Sequence, residues 1–114
     1  MRPEKLYLTD IAEACKAIEV FCEGVTFDQF SNNDMHRSAV LQKMIIIGEA
    51  TAHLTDEFIR FHPDTPWLDV IDFRNIAVHT YFSIKWEIVW LTATEEVPAL
   101  RQQVEDILHK EFGE

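Results

Sequence analysis

The sequence predicts an all-α protein, an up-and-down bundle of four to five helices. Apolar residues recur at steps of three and four along most of the chain, which is the period of an amphipathic helix. Only 3 Gly and 4 Pro occur in 114 residues, too few for the many turns of a β fold. Hydrophobic residues make up 47% of the chain, so we expect residues 1–114 to form a single domain with its own core.

The first helix is predicted over residues 3–23. Pro3 suits a first helical turn, and Gly24 suits the position just past a last one. A connector or one short turn follows at residues 27–30. The apolar positions of the first helix repeat at three- and four-residue steps: Leu8, Ile11, Cys15, Ile18, Cys22 and Val25.

The second helix is predicted to run unbroken over residues 34–60. Gly48 lies inside it, where a glycine costs about 1 kcal/mol relative to alanine. Gly48 and Ala52 are one turn apart, so we expect a neighbouring backbone to approach closely there. The segment 62–66 ends this helix.

A third helix is predicted from residue 66 to residue 79 or 81. A fourth begins at residue 83 or 85 and carries apolar positions as far as Leu108. Pro98 lies within that pattern and has no backbone N–H to donate, so it should kink or split the helix.

The charge balance is acidic, with 20 Asp and Glu against 10 Lys and Arg and a formal net charge of −10. Nonspecific binding to nucleic acid depends on basic contacts that release counterions from phosphates. The basic residues here are scattered, without a basic run. We therefore expect an acidic surface that does not bind DNA and that suits either solvent or a basic protein partner.

Cys15 and Cys22 lie two helical turns apart, about 11 Å, so they cannot form a disulfide within one helix. Free thiols favour a reducing compartment. The sequence shows no signal-peptide pattern, and its longest purely apolar run is residues 44–47, far too short to span a membrane. We expect a cytoplasmic protein.

Residues 74–81 place a guanidinium, an amide, an imidazole and a phenol near one helix end: Arg74, Asn75, His79 and Tyr81. At about 100° per residue, Arg74 and Tyr81 share one stripe of the helix, and Asn75 and His79 share another. Convergence of Arg74 and His79 requires a long reach by Arg74, a helix break near His79, or a second subunit. Otherwise these residues are an ion-paired arginine, a helix-terminal histidine and an amphipathic tyrosine.

The pattern Arg74-Asn75-x-x-x-His79-x-Tyr81 resembles the R-x4-H-x-Y signature of HepT-like toxins in the HEPN superfamily. The resemblance covers nearly the whole chain in order, with Val97 a conservative departure from leucine. Its other matching stretches are Phe21-x-x-Gly24, Ser38-Ala39-Val40, Ile47-Gly48-Glu49-Ala50, His62-Pro63, Pro66-Trp67, Val89-Trp90 and Val97-Pro98.

This resemblance implies a homodimeric HEPN-like bundle that cleaves RNA without a metal or cofactor, in a cleft between two protomers. It assigns catalysis to Arg74 and His79 and a supporting role to Asn75. It also implies a partner, an MNT-type nucleotidyltransferase antitoxin that blocks the toxin by adenylylating Tyr81. The acidic surface leads us to expect a narrow RNA range and marked salt sensitivity.

Other candidates are weaker. Glu49 is either a buried carboxylate paired with Arg74 or an exposed one. His53, Asp56 and Glu57 have helical spacing for a metal site, but such a stripe is commonly solvated. His36, His62 and His109 are expected to be isolated surface residues, and Trp67, Trp86 and Trp90 core or dimer-interface residues.

Two other interpretations remain open. The chain could be a non-catalytic HEPN subunit that binds, and is modified by, a nucleotidyltransferase, as its acidic surface and Tyr81 would suit. It could also be an orphan helical dimer that retains the motif without activity.

Overall fold

The computed structural model describes residues 3–79 and 83–113, without the side chains of Ile76 and His79. All of the regular elements in these ranges are helical, as the sequence predicts. In chain order they are α1 (Pro3–Cys22), α2 (Phe27–Ser31), α3 (Asp34–Ala52), α4 (Asp56–Phe61), α5 (Trp67–His79), α6 (Trp86–Leu91) and α7 (Val97–Phe112).

Helix α3 is the centre of the bundle. It packs against α1 on one side and α5 on the other, and α7 packs on α1. The periodic apolar positions predicted for α1 are the ones that point inward. Fully buried side chains fill the space between these helices: Leu8, Ile11, Cys15, Ile18, Phe30, Val40 and Val104.

The predicted second helix is wrong in its length, because α3 ends at Ala52 and α4 begins at Asp56. The chain turns at residues 53–55, and Thr55 caps α4 by accepting a hydrogen bond from the Phe58 N–H at 3.1 Å. Two acidic residues in the first turn of α4 complement the positive end of its helix dipole. A new helix therefore begins at Asp56, although the apolar periodicity continues through the break.

The predicted effect of Pro98 is confirmed, and the structure shows how the helix accommodates it. Helix α6 ends at Leu91, and a π-helical turn over Thr92–Glu96 leads into α7. The Val97 N–H donates to the Thr92 carbonyl, five residues back instead of four. Because Pro98 cannot donate, the wider turn absorbs the break while the helical path continues into α7.

No helix in the described ranges is both long enough and apolar enough to cross a bilayer.

Candidate active site

Gly48 marks the point where α3 crosses α5. A Cβ atom at residue 48 would lie 2.2 Å from the Arg74 Cβ and 2.7 Å from its Cγ, distances that no real Cβ contact tolerates. Only glycine allows the two helices to approach this closely. The predicted close approach is therefore confirmed at Gly48, and the neighbour is Arg74 itself. Ala52, one turn later, is exposed.

Arg74 pairs with Glu49, the residue that follows this glycine. The Arg74 Nε lies 3.6 Å from the Glu49 Oε1, and the two side chains are 21% and 53% exposed. The sequence left open whether Glu49 is a buried carboxylate paired with Arg74 or an exposed one. The structure shows a half-exposed carboxylate that lies next to Arg74. Glu49 follows Gly48 directly in α3, so its side chain lies within reach of Arg74.

The Arg74 guanidinium is poorly satisfied in this arrangement. A separation of 3.6 Å is too long for a hydrogen bond. The Nε atom is buried and has no hydrogen-bond partner among the described residues. Leaving a buried donor without a partner costs about 1–3 kcal/mol. The packing at Gly48 fixes the base of the side chain, and the loose contact with Glu49 leaves the positive charge of Arg74 only partly compensated.

The remaining motif residues are placed only in part. Asn75 is half-buried on α5. Helix α5 includes His79 and ends there, so the backbone directions of Arg74 and His79 remain roughly 140° apart. The His79 side chain and all of Tyr81 lie outside the described residues. Within one protomer, the backbone of α5 does not aim Arg74 and His79 at one point.

A cavity of about 160 Å³ lies beside the crossing, between α3, α5 and the start of α7. Ile47 and Phe73, the neighbours of Gly48 and Arg74, are among its lining residues, together with the carboxylates of Asp69 and Glu96. Most of the lining is apolar, and its charged members are acidic. This cavity is therefore unsuited to a phosphate, in contrast to the Arg74 side of the crossing.

The stripe His53, Asp56 and Glu57 does not form a metal site. His53 caps the end of α3 and stacks on Tyr7, with ring centroids 5.1 Å apart. The two carboxylates lie in the first turn of α4. Across the part of the chain that the structure describes, no three His, Cys, Asp or Glu side chains are grouped to hold a metal.

Trp67 is a core residue and is 2% exposed. Its indole N–H donates to the His62 carbonyl at 3.0 Å. Trp86 and Trp90 are partly buried, and both pack on the Phe30 ring. The expectation of core or dimer-interface positions is confirmed as a core position for Trp67, while Trp86 and Trp90 lie at the edge of the core.

The sequence interpretation of His36 and His62 as isolated surface residues is wrong. His62 Nε2 lies 2.6 Å from the Glu111 Oε2 at the end of α7. The His36 ring contacts the Phe21 carbonyl at the end of α1. Both imidazoles tie helix ends together. Their partners are 49 and 15 positions away in the chain, so local spacing gave no signal of them.

The described part of the chain is an all-helical bundle. Helix α5 carries Arg74, whose buried Nε makes no hydrogen bond among the described residues, together with Asn75 and His79. These features are those of a candidate nuclease of the HEPN type. The chain belongs to the ribonuclease HepT-like family, whose model matches residues 11–107. This match confirms the family that residues 74–81 and the ordered stretches around them indicated.

Curated relatives from archaea and bacteria align along almost their full length. The chain is 35% identical to a protein of Methanocaldococcus jannaschii named as a candidate RNase, over 91% of this chain and 95% of the relative. It is also 35% identical to a Thermococcus cleftensis protein named "Probable ribonuclease HepT", over 93% and 96%. A candidate RNase of Caldanaerobacter subterraneus is 32% identical, over 97% and 99%. No solved structure matches the chain significantly.

Proposed function

We propose that this protein is the toxin of a toxin–antitoxin pair, a metal-independent RNA endonuclease that acts as a homodimer. The observation that carries the proposal is Arg74, a cation fixed at its base by the crossing at Gly48, whose buried Nε makes no hydrogen bond among the described residues. Membership of the ribonuclease HepT-like family and relatives named as RNases support RNA as the substrate.

The chemistry requires only groups that RNA and the motif supply. The ribose 2′-hydroxyl is the nucleophile, and His79 is suited to take its proton because an imidazole titrates near neutral pH. The 2′-oxygen bonds to phosphorus, the bond from phosphorus to the 5′-oxygen breaks, and a protonated imidazole returns a proton to that oxygen. Arg74 stabilises the negative charge that develops on the non-bridging oxygens, and Asn75 is the polar supporter.

A dimer would bring Arg74 and His79 together although they point in different directions on α5. A twofold axis near the end of that helix would bring both copies of each stripe into one cleft. Apolar exposure on α5 and α6 supports such an interface: the exposed large side chains there include Val78, Ile88 and Leu91. A contiguous apolar patch formed by such side chains would mark a contact surface.

The partner in this proposal is an MNT-type nucleotidyltransferase antitoxin that adenylylates Tyr81. An adenylyl phosphate at Tyr81, seven residues after Arg74 in the sequence, would compete for the cation that the RNA phosphate needs. The formal charge of −10 favours a basic protein partner. That same charge favours a second candidate, a non-catalytic subunit that only engages the nucleotidyltransferase.

Growth arrest on induced expression, in cells without the partner, tests the proposal. Wild type and Arg60→Ala, which removes an exposed arginine of α4, should both arrest growth. Arg74→Ala and His79→Ala should not. Arrest by all four proteins would mean that toxicity does not come from this motif, and arrest by none would favour the non-catalytic subunit.

A further inference from the structure

Glu49 is the anion that the structure places next to Arg74. Its Oε1 lies 3.6 Å from the Arg74 Nε, and the side chain is 53% exposed. A guanidinium presents its N–H donors in a fork that matches carboxylate and phosphate alike. A phosphate that reaches Arg74 therefore competes with Glu49 for the positive charge of the same guanidinium.

The pair is built loosely enough for such an exchange. Charge-assisted hydrogen bonds between arginine and carboxylate are usually about 2.7–2.9 Å long, and the Arg74–Glu49 contact is well beyond that. The Arg74 Nε is buried without a hydrogen-bond partner among the described residues. A half-exposed ion pair without a hydrogen bond contributes little to stability, so a phosphate that makes full hydrogen bonds can displace it.

We propose that Glu49 is an internal competitor of the substrate phosphate at Arg74, and that it selects for RNA sites which present a well-aligned phosphodiester. The inference rests on the proposed ribonuclease function for the identity of the substrate. It does not rest on that function for the competition itself. Glu49 raises KM, because it opposes substrate and transition state alike, and it leaves kcat nearly unchanged.

The opposite role for Glu49 predicts a different kinetic change. If the carboxylate positioned Arg74 for the reaction, neutralising it would lower kcat. Glu49→Gln separates the two roles, since glutamine has nearly the same size and still offers an oxygen acceptor but carries no charge. Glu13→Gln is the matched control. Glu13 is exposed on α1 at the groove with α7, so this substitution removes the same charge away from Arg74.

The first experiment measures anion binding without catalysis. Inorganic phosphate is titrated into the wild type and both variants while the Arg74 guanidinium NMR resonances are followed. For Glu49→Gln we expect the dissociation constant to fall about threefold, the scale of one half-exposed ion pair. Glu13→Gln should bind as the wild type does. Unchanged or weaker binding by Glu49→Gln would overturn the proposal.

The second experiment measures RNA cleavage at low salt. Glu49→Gln should lower KM about threefold at unchanged kcat, whereas a fall in kcat would overturn the inference in favour of a positioning role. If no protein cleaves RNA but Glu49→Gln binds phosphate more tightly, the competition stands and the ribonuclease proposal fails. Glu49→Ala serves as the second variant should the glutamine variant unfold, and it should shift phosphate binding in the same direction.

Discussion

Two arginines of this bundle pair with a glutamate on another helix. One pair is hydrogen-bonded and the other is not. Arg101 on α7 donates to both oxygens of Glu19 on α1 and to both oxygens of Glu105, at distances that include 3.1 and 3.2 Å. Arg74 on α5 has Glu49 at 3.6 Å and a buried Nε without a hydrogen bond among the described residues.

The difference separates a structural arginine from one that is available to a ligand. The hydrogen bonds that Arg101 donates to Glu19 and Glu105 raise its pKa above the usual value, and they use its donors. Arg74 is fixed at its base by Gly48, and its Nε makes no hydrogen bond within the part of the chain that the structure describes. The Nε of Arg37 is also buried without a hydrogen bond among the described residues, so it is the place of Arg74 at the helix crossing, beside Asn75 in the family motif, that leads us to propose a binding role for it.

The largest expected effect comes from removing each arginine in turn. Arg74→Ala should lower kcat/KM for RNA by about 10²–10³-fold, the scale for loss of one charge-stabilising donor. Arg101→Ala should cleave at close to the wild-type rate. Cleavage assays on both purified variants check this, and equal losses would remove the distinction between the two arginines.

For stability we expect the reverse order, with the larger loss in Arg101→Ala and the smaller loss in Arg74→Ala. Arg101→Ala should lower the free energy of unfolding by about 1 kcal/mol, because a partly exposed hydrogen-bonded network is lost. Arg74→Ala should change stability less, since it also removes an unsatisfied buried donor. Denaturant unfolding measures both, and a larger loss for Arg74→Ala would mean that Arg74 is chiefly structural.

Gly48→Ala sharpens the account of how Arg74 is held. In an isolated helix this change would stabilise by about 1 kcal/mol. Here the new Cβ would lie 2.2 Å from the Arg74 Cβ, so we expect a net loss of about 1–3 kcal/mol from overpacking, together with reduced cleavage.

Gly24→Ala is the control for that substitution. Gly24 has a φ of +70° with open space around it, so its replacement should cost stability through backbone strain but leave cleavage intact. Increased stability of Gly48→Ala in denaturant unfolding would contradict the crossing.

The rate at which the Cys15 thiol is alkylated gives a further comparison of the two arginines, with a smaller expected effect. The pKa of Cys15 is raised to about 12, chiefly by burial; Glu19 and Glu105 also contribute to the rise, and Arg101 opposes it. Its thiol should therefore resist alkylation at pH 8 unless α1 and α7 separate. Arg101→Ala should speed Cys15 alkylation in a Cys22→Ser background, and Arg74→Ala should not.

The raised pKa of Cys15 also sets a direction for stability against pH. A thiol that holds its proton more tightly in the folded state stabilises the fold fully below its unfolded value of 9.0. That contribution falls as pH rises from about 9 to about 12. Unfolding curves of the Cys22→Ser protein across this range should show the decline, and a rise in stability would contradict burial of the thiol.

Much of this architecture could be read from local patterns. The period of apolar residues gave α1 almost to the residue, Gly48 predicted a close helix approach, and Pro98 predicted the break before α7. Arg74 was the partner expected for Glu49 if its carboxylate were buried, and the structure places the two side chains together although Glu49 is half exposed. These features follow from spacing along one chain segment, which the sequence displays directly.

The remaining features depend on contacts between distant segments. The break at residues 53–55 was missed because apolar spacing continues through it, and Thr55 was not recognised as a cap. The half-exposed position of Glu49 depends on how α5 crosses α3. Sequence reasoning also could not find the partners of His36 and His62, which lie on other helices. The catalytic assignment of His79 came from family resemblance, and its side chain lies outside the described residues.

The most direct test of the central claim is the chemistry of the cut ends, measured on RNA treated with the purified protein in the presence of a metal chelator. A reaction driven by the 2′-hydroxyl and Arg74 should leave 5′-hydroxyl fragments, in wild type but not in Arg74→Ala. Fragments with 5′-phosphate ends, or equal cleavage by the Arg74→Ala variant, would contradict the account.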